Sequence, residues 1–229
     1  SRGACLSLLQ GVFLPEQTPS RFRQLRPWVH HGWEMVLIAA FLQESDGPLQ
    51  RLGVDAFAAD YDQQLRAGLD RFGWKPSLLQ DSLEHVRRQA VSGDRAGWVA
   101  LHRPFKGVQE RLAGLEEEGV AWSVLTTKGR DFTDELLDAF QLRPVRLDGR
   151  ESGPKPEVLL RLRREWALKG FVEDRRATLE VVLETPGLEG LKCFLADWGY
   201  LRPADREGLP EGLDLLSTSK FAAPLAIWP

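Results

Sequence analysis

Cysteine is scarce in this sequence: Cys5 and Cys193 are the only two among 229 residues. Two thiols so far apart make neither a disulfide framework nor a thiolate metal cage, and they suit a reduced compartment as small core residues. Long apolar runs are missing as well. No uninterrupted stretch approaches the ~20 residues a membrane helix needs, and the first residues carry no secretory pattern. Nor is either sign of charge in excess. The 30 basic and 33 acidic residues leave a net charge of -3, so no global field recruits nucleic acid or an anionic membrane. Internal repeats and low-complexity tracts are absent too. The expectation is a soluble, cytoplasmic protein with no nucleic-acid or membrane partner. What is present is 43% hydrophobic residues, enough for one large domain or for a core with a smaller companion.

Breakers and apolar spacing divide the chain in two. It begins Ser1-Arg-Gly-Ala-Cys-Leu-Ser-Leu-Leu9, without methionine and reading as a helix already under way. From Phe13 to His102 the pattern predicts helices only. A long one is expected over Ser20 to Leu42, with Pro27 near its start, followed by others over Val54 to Phe72 and Ser77 to Val91, and a short segment from Asp94 to Leu101. After Val108 the texture becomes alternating. A helix closed by Gly119 leads into Val120-Ala-Trp-Ser-Val-Leu125, an apolar run that stops in Thr126-Thr-Lys-Gly129. Further strands are predicted at Pro144 to Leu147, Gly170 to Glu173, Leu191 to Ala196 and Leu213 to Ser217, with helices between them, from Pro156 to Leu168 and from Arg176 to Leu183. Such alternation implies a parallel sheet with right-handed crossovers. The expected fold class is therefore α/β, a doubly wound parallel sheet over residues 104–229 preceded by an all-helical region over 1–103.

Open parallel sheets place chemistry at the carboxyl ends of their strands, and three polar clusters fall there. Thr126, Thr127 and Lys128 follow the first predicted strand, Glu173 and Asp174 end another, and Asp197 ends a third. Lys155, in Ser152-Gly-Pro-Lys-Pro156, opens a helix, where the dipole disfavours a cation unless an anion is near. Hydroxyl, lysine and paired acids on one sheet edge suit phosphoryl chemistry: acids hold Mg²⁺ through oxygen, lysine neutralises equatorial oxygens and threonine donates to one of them. Each also has a plainer reading, with Thr126 a strand-end cap, Lys155 a surface lysine and Glu173-Asp174 a solvated turn.

Taken in order, these residues resemble the haloacid dehalogenase superfamily, and in particular its phosphatases with a helical cap. Pro104-Phe-Lys-Gly-Val108 is similar to the return from cap to core, Trp122-Ser-Val-Leu-Thr-Thr-Lys128 to the second motif, Gly153-Pro-Lys-Pro156 to the third and Phe171-Val-Glu-Asp174 to the fourth. The resemblance implies Thr126 and Lys155 as catalytic residues, Asp174 and Glu173 as Mg²⁺ ligands, and Mg²⁺-dependent hydrolysis of a small phosphorylated metabolite through an aspartyl-phosphate. Thr127 and Lys128 would meet the substrate, as would Arg26, His30 and His31 from the cap. Those three belong to Arg26-Pro-Trp-Val-His-His-Gly-Trp-Glu34, for which aromatic packing between helices is the plainer reading. The rival functions are a noncatalytic binding protein of the same fold and a true dehalogenase, against which the acidic pair counts.

Two departures accompany the resemblance. Thr178 stands where the fourth motif often has a second acid, and the first motif, a strand ending in the nucleophilic aspartate, has no counterpart before Leu14. Asp60-Tyr61-Asp62 is an Asp-x-Asp, but it sits in helical composition and reads as a solvated helix face. In the family the first-motif strand lies between those ending at Thr126 and Glu173. The expectation is therefore a further segment upstream of Ser1, on the order of 20 residues, enough for a strand and a turn.

Overall fold

The computed structural model describes residues 2–9 and 17–229. Of the stretch read as strand-free before Leu14, residues 2–9 are described and helical over Arg2–Leu8, while residues 10–13, with the start of the helical reading at Phe13, lie outside the described residues. The chain divides into two compact units, Ser1–Trp98 and Val99–Pro229.

Every regular element described in the first unit is helical: α1 (Arg2–Leu8), α2 (Ser20–Leu25), α3 (Glu34–Phe41), α4 (Pro48–Ala59), α5 (Tyr61–Phe72) and α6 (Pro76–Gly93). Their shared core gathers Cys5, Leu25, Leu37, Phe41, Leu49, Phe57, Leu79 and Leu83. Cys5 is buried there as a free thiol, and burial pushes its pKa up to about 11, which makes it an inert packing residue.

The single helix expected over Ser20 to Leu42 is instead two helices with a bend between them. Pro27 starts a 3-10 turn at Arg26–Trp28, and the backbone is extended by Val29; proline carries no N–H to continue an α-helical ladder. Glu34 then secures the bend. Its carboxylate is 2% exposed and accepts the N–H of His30 at 2.8 Å, the N–H of His31 at 2.9 Å and the Tyr61 hydroxyl at 2.9 Å. Burial, with Glu34 beside it, pushes the Tyr61 hydroxyl above the ordinary tyrosine range. The helix expected over Val54 to Phe72 is also two, parted at Asp60, and the first of them is interrupted at Gly53, whose φ of 76° is outside the helical region.

The second unit is mixed α/β. A short helix α7 (Arg95–Ala100) leads into it, followed by α8 (Val108–Glu117), β1 (Ser123–Leu125), α9 (Arg130–Ala139), β2 (Arg146–Asp148), α10 (Lys155–Glu165), β3 (Gly170–Glu173), α11 (Arg176–Leu183), β4 (Lys192–Ala196), β5 (Leu213–Leu216) and α12 (Thr218–Phe221). Gly119, at φ 68°, ends α8 as expected, and Val120 N–H turns back to the Leu115 carbonyl. The strands form two small parallel sheets, β1-β2 and β3-β4-β5. Residues 123–125 of β1 face 146–148 of β2, 170–173 of β3 face 192–195 of β4, and 193–196 of β4 face 213–216 of β5. The cores follow the same division. Leu137, Leu142 and Leu147 pack with Trp122 and Val124 around the two-stranded sheet. Val158, Leu162, Phe171, Leu179, Val182, Cys193 and Leu195 bury α10 and α11 against the three-stranded one. Of the apolar run from Val120, only the three residues Ser123–Leu125 are strand, paired with β2 on one edge.

Removing Glu34 leaves a buried phenol and two part-buried backbone N–H groups without their acceptor, the buried one worth about 1–3 kcal/mol and the others less. Glu34→Ala is expected to cost on the order of 3 kcal/mol, and Tyr61→Phe about 1 kcal/mol. Urea unfolding followed by helical circular dichroism measures both.

Candidate functional site

The polar ends of β1 and β3 and the start of α10 line one cleft in the second unit, a cavity of ≈ 820 Å³ bounded by Trp122 to Thr127, Lys155, Gly170 to Asp174 and apolar residues of α8 and α10. Three separate strand-to-helix turns thus bring Thr126, Lys155 and Glu173-Asp174 to one place.

Thr126 is held by its neighbours on β2. Its N–H donates to the Asp148 carbonyl at 3.0 Å, and its Oγ1 accepts the N–H of Lys128 at 3.1 Å. The hydroxyl thus closes a turn as the plainer reading has it, yet a hydroxyl that accepts retains its own proton to donate. Thr127 is exposed and Lys128 half-buried; the Lys128 carbonyl takes the Arg150 N–H at 3.0 Å.

Lys155 is not a solvated surface lysine. Pro154 and Pro156 fix the backbone at the start of α10, and the side chain, 15% exposed, pairs with the Glu173 carboxylate, itself 10% exposed. The ammonium also lies 5.9 Å from the centre of the Phe171 ring. Glu173 uses its other oxygen on the turn after β3, accepting the N–H of Asp174 at 3.0 Å and of Arg175 at 3.2 Å. Burial holds this carboxyl above the ordinary glutamate range, while Lys155 pulls it back down. The anion that a lysine at a helix start calls for is therefore supplied, in this structure, by Glu173.

Asp174 Oδ2 accepts the Tyr200 N–H at 3.3 Å. Sequence reasoning missed what positions it: a Cβ on Gly199 would lie 2.1 Å from the Asp174 Cβ, so only glycine lets the turn after β4 pass this residue. The signal was a glycine two residues beyond Asp197, a position read only for its acid. Asp197 itself is taken by Arg206, whose Nε donates at 2.6 Å.

Toward Mg²⁺ these residues would offer one carboxylate, Asp174. Among the described residues no group of three or more His, Cys, Asp or Glu can hold a metal ion, and Glu173 is engaged by Lys155, which leaves Asp174 as the one carboxylate facing the cleft without a cationic partner. Arg26, His30 and His31 belong to the helical unit. Arg26 Nη1 donates to Met35 Sδ at 3.6 Å, the histidines give their backbone N–H groups to Glu34, and His31 stacks on Trp33. Asp60 and Asp62 are exposed at the junction of α4 and α5. No helix among the described residues is long and apolar enough to cross a membrane.

Comparison with protein-family models, with curated proteins and with solved structures gives no match to this chain.

Because the Glu173 carboxyl is raised, it holds its proton more tightly folded than unfolded. Its contribution to stability is full below the unfolded value of about 4.3 and is lost as pH rises through the folded value. Glu173→Gln does not titrate, so the fall in urea midpoint from about pH 4 upward is expected to flatten in the variant.

Proposed function

We propose that residues 104–229 are the core of a haloacid dehalogenase-like hydrolase acting on a small phosphomonoester, with the helices of residues 1–103 as its cap. The observation that supports this reading is the convergence of Thr126, Lys155 and Glu173-Asp174, from three different turns, on one cleft. Residues of these types in that arrangement suit an anion with several oxygens. Lys155 meets the phosphoryl charge and Thr126 donates its hydroxyl proton to an equatorial oxygen. Glu173 holds the ammonium ready when no anion is bound, and a phosphoryl group replaces it as the counter-charge. Mg²⁺ would supply further neutralisation at Asp174, with the rest of its shell from substrate oxygens and water. In this reading the sheet is completed into a doubly wound one, and the nucleophilic carboxylate comes from outside the described residues.

A second reading, a noncatalytic phosphate-binding relative, is favoured by one observation: the only Asp-x-Asp of the described residues lies on the exposed α4–α5 junction. One assay separates the two. The intact protein, with the segment that supplies the nucleophile, is expected to hydrolyse p-nitrophenyl phosphate in Mg²⁺ and to stop in EDTA, and Lys155→Ala to lower the rate by about 10²-fold or more. Phosphate binding that Lys155→Ala abolishes, without turnover in the parent, selects the binding protein. Hydrolysis unchanged by Lys155→Ala refutes both.

A further inference from the structure

Thr126, Thr127, Asp174, Trp198 and Gly199 are the cleft residues that directly follow β1, β3 and β4. Four of the five are small or polar, as suits the surroundings of an anion, and Trp198 stands apart. Its side chain is half-buried, although the last four residues of β4, which lead to it, are buried. Its nearness to the acid follows from the next residue: a Cβ on Gly199 would lie 2.1 Å from the Asp174 Cβ, so the backbone beside Trp198 runs against Asp174. The turn is tight, with Gly199 N–H donating to the Ala196 carbonyl at 3.1 Å and Tyr200 N–H to Asp174 Oδ2 at 3.3 Å.

The indole is supported from behind by a series of rings. Trp198 leans on Phe221, with 5.0 Å between ring centres and a tilt of 46°. Phe221, itself buried, meets Trp228 at 5.3 Å, and Trp228 meets Phe194 edge-on at 5.3 Å. The Arg111 guanidinium lies 5.7 Å from the Trp228 ring and pairs with Glu118, which also accepts the Leu225 N–H at 2.8 Å. The chain on either side of the indole is held as well. Asp197 donates its N–H to the Leu216 carbonyl at 3.0 Å and accepts from Arg206 at 2.6 Å, while Arg176 donates to the carbonyls of Ala204, Glu207 and Gly208 farther along the same loop. Part of the indole is thus covered by Phe221 and part borders the cleft. A ring held in place before a ligand arrives loses little freedom when the ligand stacks on it.

We propose that Trp198 is a stacking platform for the leaving group, and that the substrate is a phosphomonoester whose alcohol carries a flat aromatic ring. The inference rests on the phosphoryl reading through one element, an anion held at Lys155, which the hydrolase and the binding protein share. Ligand pockets combine a few convergent polar groups that fix orientation with aromatic surface that takes up the body of the ligand. Lys155 and Thr126 fill the first role, and Trp198 fills the second. Ring quadrupoles favour an offset-stacked or edge-to-face aromatic partner beyond the area that it buries. An acyclic, hydroxylated alcohol such as glycerol has no such face to offer and keeps its hydration in water.

Isothermal titration of the intact protein in EDTA, where hydrolysis stops, measures the affinities of phenyl phosphate, cyclohexyl phosphate, glycerol 3-phosphate and inorganic phosphate. Phenyl phosphate is expected to bind roughly fivefold or more tighter than glycerol 3-phosphate. Trp198→Leu is expected to abolish that preference and Trp198→Phe to keep most of it, and neither to change the affinity for inorganic phosphate. In the NMR spectrum, the indole N–H signal that Trp198→Phe removes is expected to move with phenyl phosphate and not with inorganic phosphate, a readout that does not depend on the leucine variant folding. A loss on Trp198→Leu shared equally by inorganic phosphate would make Trp198 a packing residue and overturn the inference. Cyclohexyl phosphate binding as tightly as phenyl phosphate would overturn it in favour of an unselective apolar surface. Lys155-dependent binding of inorganic phosphate without any preference for phenyl phosphate removes this inference alone, whereas no binding of any of the four ligands at millimolar concentration removes the phosphoryl reading with it.

Discussion

A parallel strand carries hydrogen-bonding groups on both of its edges, and the second unit is arranged around strands that have satisfied one edge but not the other. β4 has partners on both sides and is the most deeply buried strand. β1 and β3 each have a single partner, are only partly covered, and both line the cleft near the polar turns. The segregation of the cores follows from this constraint: Trp122, Val124 and Leu147 form one cluster with α9, and Phe171, Cys193 and Leu195 another with α10 and α11. A backbone group buried without a partner costs free energy comparable to a lost hydrogen bond.

The Lys155–Glu173 pair is the electrostatic counterpart of that arrangement. It joins the first residue of α10 to the last of β3 in a largely dehydrated setting, where a charge without a partner is strongly destabilising. Each group makes the other tolerable, and an incoming anion at Lys155 has to displace a carboxylate that two backbone N–H groups also hold.

Much of the second unit was legible. The strands at Gly170 to Glu173, Leu191 to Ala196 and Leu213 to Ser217 appear within a residue or so of where apolar runs bounded by turn residues put them, and Gly119 closes its helix as read. Helix continuity in the first unit was less legible, because Pro27 and Gly53 act through local backbone geometry that apolar spacing does not register. Of the candidate site, Thr126 and Glu173-Asp174 were singled out by their places after strands and Lys155 by its place at a helix start, and the structure brings all four to one cleft. The role of Gly199 was not legible, since the approach of the turn after β4 to Asp174 joins residues far apart in the chain.

Sequence alone determined the element types, the helical first part and the alternating second part, because hydrophobic period and turn chemistry are local properties. Tertiary structure alone decided that the Glu34 carboxylate would fasten a bend rather than face a ligand, that Lys155 would already have a carboxylate partner, and that the apolar run ending at Thr126 would be a strand with one open edge. Those outcomes depend on which distant groups share a dehydrated space and which backbone edges find neighbours, and neither is encoded in any single stretch of the chain.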